Sequence, residues 1–393
     1  MKVIVVGAGV VGSATAYALS RAGARVTVCE AQYPGAGTSG ESYAWVNANR
    51  KEPREYFELN LEGMRAHGRW QRDLADGANA LGQWLWGTGH FEWSTDPTHS
   101  AHLDAKLERM SDWGYPAQVL EPRAAMAIEP ALRLDSRVDR VVSYPQEGFC
   151  VPEMLISSTL QAARALGAEV LAGADVRSIE HRDGARVHLT DGTVLDADVV
   201  VACAGRWTQK VLASAGVDEV PMAPTDSKGL PTIGLLAYTR PRPPRLGRLL
   251  TTSRLNVRPQ PHGGMILHAL DLDRVADPAG DLGTDGPVAA ELLDRVEEVL
   301  NLDSPVEIER LHIGRRSIPA DGKTVSGFVG DGTWLYTIAT HSGVTLAPLL
   351  ADYAVQEIVH GNLVHQLAPF RPGRFANYNQ QPEPPRATVP GDQ

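Results

Sequence analysis

Short apolar runs and amphipathic stretches, separated by glycine, alternate along most of the chain. Residues 3–6 are a β-branched run read as a strand, and Gly7-Ala8-Gly9-Val10-Val11-Gly12 follows at once. Residues 13–22 read as a small-residue helix ended by Gly23, and residues 25–29 as a second strand with Glu30 at its end. A helical period covers 59–74. From Gly148 the alternation returns, with a helix over 152–166 and strands over 169–171, 175–180 and 186–189. Asp191-Gly192-Thr193 reads as a hairpin turn. Residues 197–203 are strongly apolar, as expected of a parallel strand buried on both faces. Residues 221–310 are proline-rich and β-like, then helical over 287–300. Gly330-Asp331-Gly332 reads as a turn before the strand TWLYTIA. Strands alternating with helices predict an α/β fold.

The first thirty residues form a strand–turn–helix–strand unit, the setting in which a GxGxxG sequence carries meaning. Gly7 would allow the tight turn, Gly9 the approach of a pyrophosphate to the backbone, and Gly12 the close packing of helix on strand. The helix N-terminus would offer free N–H groups and the positive end of its dipole. Glu30 stands about 20 residues further on, where a carboxylate accepts from ribose hydroxyls. A bound dinucleotide follows, with its adenosine ribose unphosphorylated. Residues 35–49, GAGTSGESYAWVNAN, could supply further backbone and hydroxyl donors, and terminal Gly205 would let a ligand near the 197–203 run.

Composition narrows the partners. The chain has 393 residues, enough for two or three domains, and is 43% hydrophobic and 21% charged, as in an ordered globular protein. Its net charge of -10 argues against non-specific nucleic-acid binding and against an anionic membrane surface. No apolar run is long enough to span a bilayer, and the glycine-broken N-terminus reads as a folded strand rather than a signal peptide. Cys29, Cys150 and Cys203 fit no disulfide framework and suit a reducing cytoplasm. No metal site is expected. The tail 376–393, rich in Pro, Gln and Asn, is expected to be poorly ordered.

Several blocks in order then resemble the D-amino-acid oxidase and glycine oxidase family of FAD-dependent oxidoreductases, with its sarcosine oxidase and D-amino-acid dehydrogenase relatives. They are the fingerprint with Glu30, GTSGESYAWVNAN, GFCVPEMLISSTLQAARALGAEV, DVVVACAGRWT, GRRSIPADG, WLYTIATHSGVTLAPLLADYAVQEIV and LAPFRPGRF, together spanning about 1–375. The resemblance implies a Rossmann-type FAD-binding domain interleaved with an antiparallel-sheet α+β substrate domain. The FAD domain would comprise 1–80, 146–215 and 311–375, and the substrate domain 81–145 and 216–310. Cofactor contacts would come from Gly7, Gly9, Val10, Val11, Gly12 and Glu30, from Thr38, Ser39, Gly40 and Ser42, from Val176 beside the adenine, from Ala204, Gly205 and Trp207, and from Ser342, Gly343, Val344 and Thr345. No cysteine follows Cys203 and residues 35–49 contain no histidine, so both linkages known among relatives are missing and FAD would be non-covalent.

An enzyme that reduces isoalloxazine should place positive potential where the ring gains charge. His341-Ser342-Gly343-Val344-Thr345-Leu346-Ala347 follows a strand and opens a helix, so its free N–H groups could serve. Arg316 in GRRSIPADG matches the family arginine that binds a substrate carboxylate, a task suited to its planar fork. Relatives have proline next; this chain has Ser317. His341, Tyr43 and His268 are candidate polar groups near the ring. Three functions stay open: oxidation of an amine or amino acid at C–N by hydride transfer to flavin N5, oxidation of a 2-hydroxy acid at C–OH, and a non-catalytic flavin-binding assembly role. The electron acceptor is oxygen, a quinone or another carrier.

Overall fold

The structure, a computed structural model, describes residues 1–75, 82–242, 245–280, 282–376, 378 and 387. The expected disordered tail therefore lies outside the described residues apart from 376, 378 and 387. A six-stranded sheet has the order Val325–Phe328, Leu335–Ala339, Val199–Ala202, Lys2–Val6, Arg25–Glu30, Glu169–Ala172. It is parallel except for its first pair, which is an antiparallel hairpin. The Gly330-Asp331-Gly332 turn closes that hairpin. The strands are apolar on both faces because helices Val10–Arg21, Pro152–Ala165 and Gly343–Ile358 cover one side, while a three-stranded sheet, Val176–His181, Ala185–Leu189 and Val194–Ala197, packs on the other.

Three elements depart from expectation. The fingerprint helix begins at Val10 rather than 13, because Gly12 sits in its first turn. A Cβ there would lie 2.0 Å from Gly7 O, and one on Gly7 (φ +100°) would lie 2.6 Å from Cys203 O. The apolar run 197–203 is not one strand. Ala197 ends the small sheet, and Val199–Ala202 joins the large one after Asp198, whose N–H donates to Lys2 O at 2.9 Å. The expected helix at 59–74 also extends to Arg54–Ala75.

The second layer is an eight-stranded sheet in the order Ile308–Arg315, Ile233–Thr239, Met265–His268, Asn256–Pro259, Leu249–Thr251, His90–Glu92, Val141–Tyr144, Gln118–Leu120. Its pairs are antiparallel except Leu249–Thr251 with His90–Glu92. Strand Ile308–Arg315 belongs to this sheet and crosses the boundary expected at 311. The strand 233–239 is buried throughout, and Leu236, Tyr238 and Ile266 pack toward Tyr43 between the two layers.

One helix contact is dictated by a single proline. Pro348 lies inside Gly343–Ile358 and has no N–H to give the carbonyl one turn earlier. Val344 O instead takes a bond from His67 Nε2 at 2.6 Å, on helix Arg54–Ala75. Trp84 Nε1 donates to His67 Nδ1 at 3.3 Å, which fixes the proton on Nε2. Burial pushes this imidazole down to about 4, so it stays neutral at physiological pH. His67→Phe should fill the space yet leave the carbonyl unpaired, lowering stability by about 1–3 kcal/mol. Urea or thermal unfolding checks this, and an unchanged midpoint would contradict it.

Candidate active site

Two helix N-termini meet at the carboxyl end of the parallel sheet. Ser13 N to Gly9 O (2.9 Å) is the first intrahelical bond of one helix, and Leu346 N to Ser342 O (2.9 Å) that of the other. The N–H groups ahead of these, Val11 and Gly12 in one helix and Gly343, Val344 and Thr345 in the other, have no intrahelical acceptor. Val10 N is held by Ser39 Oγ at 3.0 Å. Gly9 leaves room for that hydroxyl, which a Cβ would approach to 3.0 Å. Ser342 does not cap its helix with its side chain; it shares a hydrogen bond with Tyr56 OH at 2.7 Å.

A cavity of about 640 Å³ runs along these termini. Gly7, Gly9, Val10, Val11, Glu30, Thr38, Ser39, Ser42, Val176, Ala204, Gly205, Trp207, Gly343 and Val344 line it. Gly12 lies beneath the turn rather than on the cavity wall, and Gly40 donates its N–H to Gly35 O at 3.1 Å. Glu30 accepts from Ala8 N at 2.8 Å and Gln32 N at 2.9 Å, one bond to each oxygen. Each oxygen keeps a lone-pair direction for a diol. Cys29 and Cys203 also border the cavity, but burial raises both thiols to about 12. The cavity wall carries several glycines, free helix N–H groups suited to phosphate, and in Glu30 an acceptor for a diol. It fits a dinucleotide.

A smaller chamber of about 120 Å³ adjoins it between the two layers. Tyr43, His268, Arg316 and His341 all line this chamber, as do Ser342, Val344 and Thr345. A wider cavity of about 830 Å³ meets the chamber at Arg316 and His341. The four candidates for substrate chemistry thus come together, though they stand apart in sequence.

Their chemistry differs. Arg316 Nη1 donates to Pro231 O (2.9 Å) and Ile233 O (3.0 Å), and Nη2 to Asp273 Oδ2 (2.8 Å). Nη2 also lies 3.4 Å from His268 Nε2, which leaves the Nε–H edge of the guanidinium without a protein acceptor. Its neighbour Gly234 gives it room, since a Cβ there would lie 2.5 Å from Nη2. His268 is held at both nitrogens, Nδ1 at 3.1 Å from Asn256 Nδ2 and Nε2 at 3.2 Å from Asp273 Oδ2. Asn256 is bonded in turn to Thr251, and Thr251 to His90, so a buried polar line crosses four strands. Asp273 was not visible as a site residue in the sequence. Burial would raise its carboxyl, but the facing His268 and Arg316 outweigh that and hold it at about 2.

His341 makes no comparable bond. Burial first, then the positive Lys51 and Arg316, push its imidazole from about 6.5 down to about 3. Burial raises the Tyr43 phenol, so it stays protonated and can donate. Lys51, which lines the same chamber, carried no signal in the sequence.

Fold and site together define a dinucleotide-dependent oxidoreductase. The family model of the DAO group, FAD dependent oxidoreductase, matches residues 2–357, and the chain belongs to this family. It is 29% identical over 227 residues to monomeric sarcosine oxidase of Streptomyces avermitilis, covering 55% of this chain and 54% of that enzyme, so this alignment spans about half of the relative. D-proline dehydrogenase of Pyrobaculum islandicum is 24% identical over 386 residues, covering 90% of this chain and 94% of the relative. Glycine oxidase from Geobacillus kaustophilus has the same fold, with TM-score 0.80 and 21% identity over 94% of this chain and 97% of that one.

The His341 environment has a consequence in acid. Between about pH 6.5 and pH 3 the unfolded chain protonates this histidine and the folded chain does not, so folded stability falls as pH drops through that window. His341→Gln removes this loss. Its acid-unfolding midpoint should move to lower pH, and a midpoint equal to or above the wild-type value would contradict the assignment.

Proposed function

We propose that the protein oxidises the C–N bond of an amine or amino acid to an imine, with FAD held non-covalently in the glycine-walled cavity. The observation that carries this is the chamber beside that cavity, where a partly uncommitted guanidinium faces a neutral, unpaired imidazole. The bound flavin would accept the hydride that leaves the substrate α-carbon. Free N–H groups at Gly343, Val344 and Thr345 support this, because they supply positive potential without a titrating group. The buried, weakly acidic cysteines support non-covalent binding.

Arg316 anchors a substrate carboxylate through the Nε–H edge of its guanidinium, while Asp273, Pro231 O and Ile233 O fix the plane of the fork. Tyr43 donates to the bound substrate. His341, neutral throughout the physiological range, accepts a hydrogen bond from the amine and leaves it uncharged, which frees the nitrogen lone pair to form the imine. The family relatives named above, sarcosine oxidase, D-proline dehydrogenase and glycine oxidase, point to the same substrate class. A 2-hydroxy acid is the weaker reading. Alcohol oxidation wants a base for the hydroxyl proton; His341 is depressed to about 3 and both nitrogens of His268 are engaged.

An anaerobic screen that follows flavin absorbance tests this. Secondary or primary amines bearing a carboxylate should bleach the flavin, and matching 2-hydroxy acids should not; bleaching by hydroxy acids alone would reject the proposal. In the same assay Arg316→Lys keeps a charge for Asp273 but loses the fork. It should raise the half-saturating concentration of carboxylate amines about tenfold, roughly 1.4 kcal/mol, and leave amines lacking a carboxylate little changed. Equal effects on both would reject the anchor.

A further inference from the structure

Ser317 follows Arg316 directly, and its hydroxyl has no hydrogen-bond partner. The residue is 6% exposed, and its Oγ is buried without a hydrogen bond. The backbone around it is pinned. Arg315 N donates to Glu41 Oε2 at 3.0 Å, and Thr38 Oγ1 donates to Arg315 O at 2.8 Å. Arg316 N donates to Thr232 O at 2.7 Å, and Ala223 N to Ile318 O at 2.9 Å. Arg316 lines the small chamber, and Ser317 lines the dinucleotide cavity. Across from Ser317 stands Gly205, where even an added Cβ would remain 3.8 Å from the hydroxyl.

A buried hydroxyl without a partner destabilises the protein that carries it, and native structures hold few of them. Here the hydroxyl borders a cavity shaped for a ligand rich in polar atoms. We infer that Ser317 is a cofactor contact of this chain, its hydroxyl forming a hydrogen bond to bound FAD. This rests on the reading of the cavity as the FAD site. Consecutive residues then hold the two reactants, Arg316 the substrate carboxylate and Ser317 the cofactor, with one rigid peptide between them.

Ser317→Ala should move two quantities in opposite directions. The apoprotein should unfold at the same or a higher temperature, because an unpartnered polar group is gone. Its FAD dissociation constant, from fluorescence titration of apoprotein, should rise about 3- to 10-fold, the range of one neutral hydrogen bond. Ser317→Thr keeps the hydroxyl and should bind FAD within about twofold of wild type. The inference is overturned if Ser317→Ala binds FAD as tightly as wild type, or if its apoprotein is destabilised as much as its FAD complex. Wild-type apoprotein that takes up no FAD would instead overturn the cofactor reading, and this inference with it.

Discussion

The packing of helix Val10–Arg21 against helix Gly343–Ile358 is the constraint on which the rest of the site depends. The two helices meet at Gly343, which faces Val10 and Val11 at ordinary van der Waals distance: a Cβ there would sit 3.5 Å from Val11 Cγ2 and 3.8 Å from Val10 Cγ2. The contact brings two helix dipoles to one end of the parallel sheet, both with their positive ends toward the same cavity. Such a concentration of N–H groups with no acceptor is costly in an empty protein and favourable beside an anion. The remaining parts serve that arrangement. Pro348 frees a carbonyl that His67 takes up, which locks a third helix onto the pair. Glu30 ties the turn after the first strand to the segment beyond the second.

The eight-stranded sheet does different work. It lays a polar line, His90 to Thr251 to Asn256 to His268 to Asp273, toward Arg316. Each member is buried and bonded to the next, so the guanidinium is oriented by groups several strands away. His341 is left out of the line and keeps its imidazole unpaired. The division separates rigid positioning on the substrate side from open N–H groups on the cofactor side.

Much of the cofactor side was legible in the sequence because its signals are local. Strand, GxGxxG, helix and Glu30 lie within thirty residues; Gly12 is required by a contact inside that unit, Gly7 by the adjacent strand end at Cys203, and only Gly9 answers to a more distant residue, Ser39. The helix start was misread because Gly12, a poor helix former in isolation, is placed in the first turn by its contact with Gly7. The run 197–203 was misread for a similar reason: apolar character does not say that Asp198 hands the chain from one sheet to another. The chamber was legible only by residue type. Arg316, His341, Tyr43 and His268 could be named, but what sets their chemistry comes from distant segments, Pro231, Ile233, Asn256 and Asp273, brought in by sheet register. Lys51 and the orphaned Ser317 hydroxyl gave no pattern at all, since a lysine or a serine becomes informative only once its surroundings are known.

Helix N-termini, Arg316 and Lys51 would surround a bound flavin with fixed positive potential. The two-electron midpoint potential of the bound flavin reports that potential, because fixed positive charge favours the reduced, more anionic form. The expected value lies above that of free FAD under the same conditions. A value equal to or below that of free FAD would contradict it.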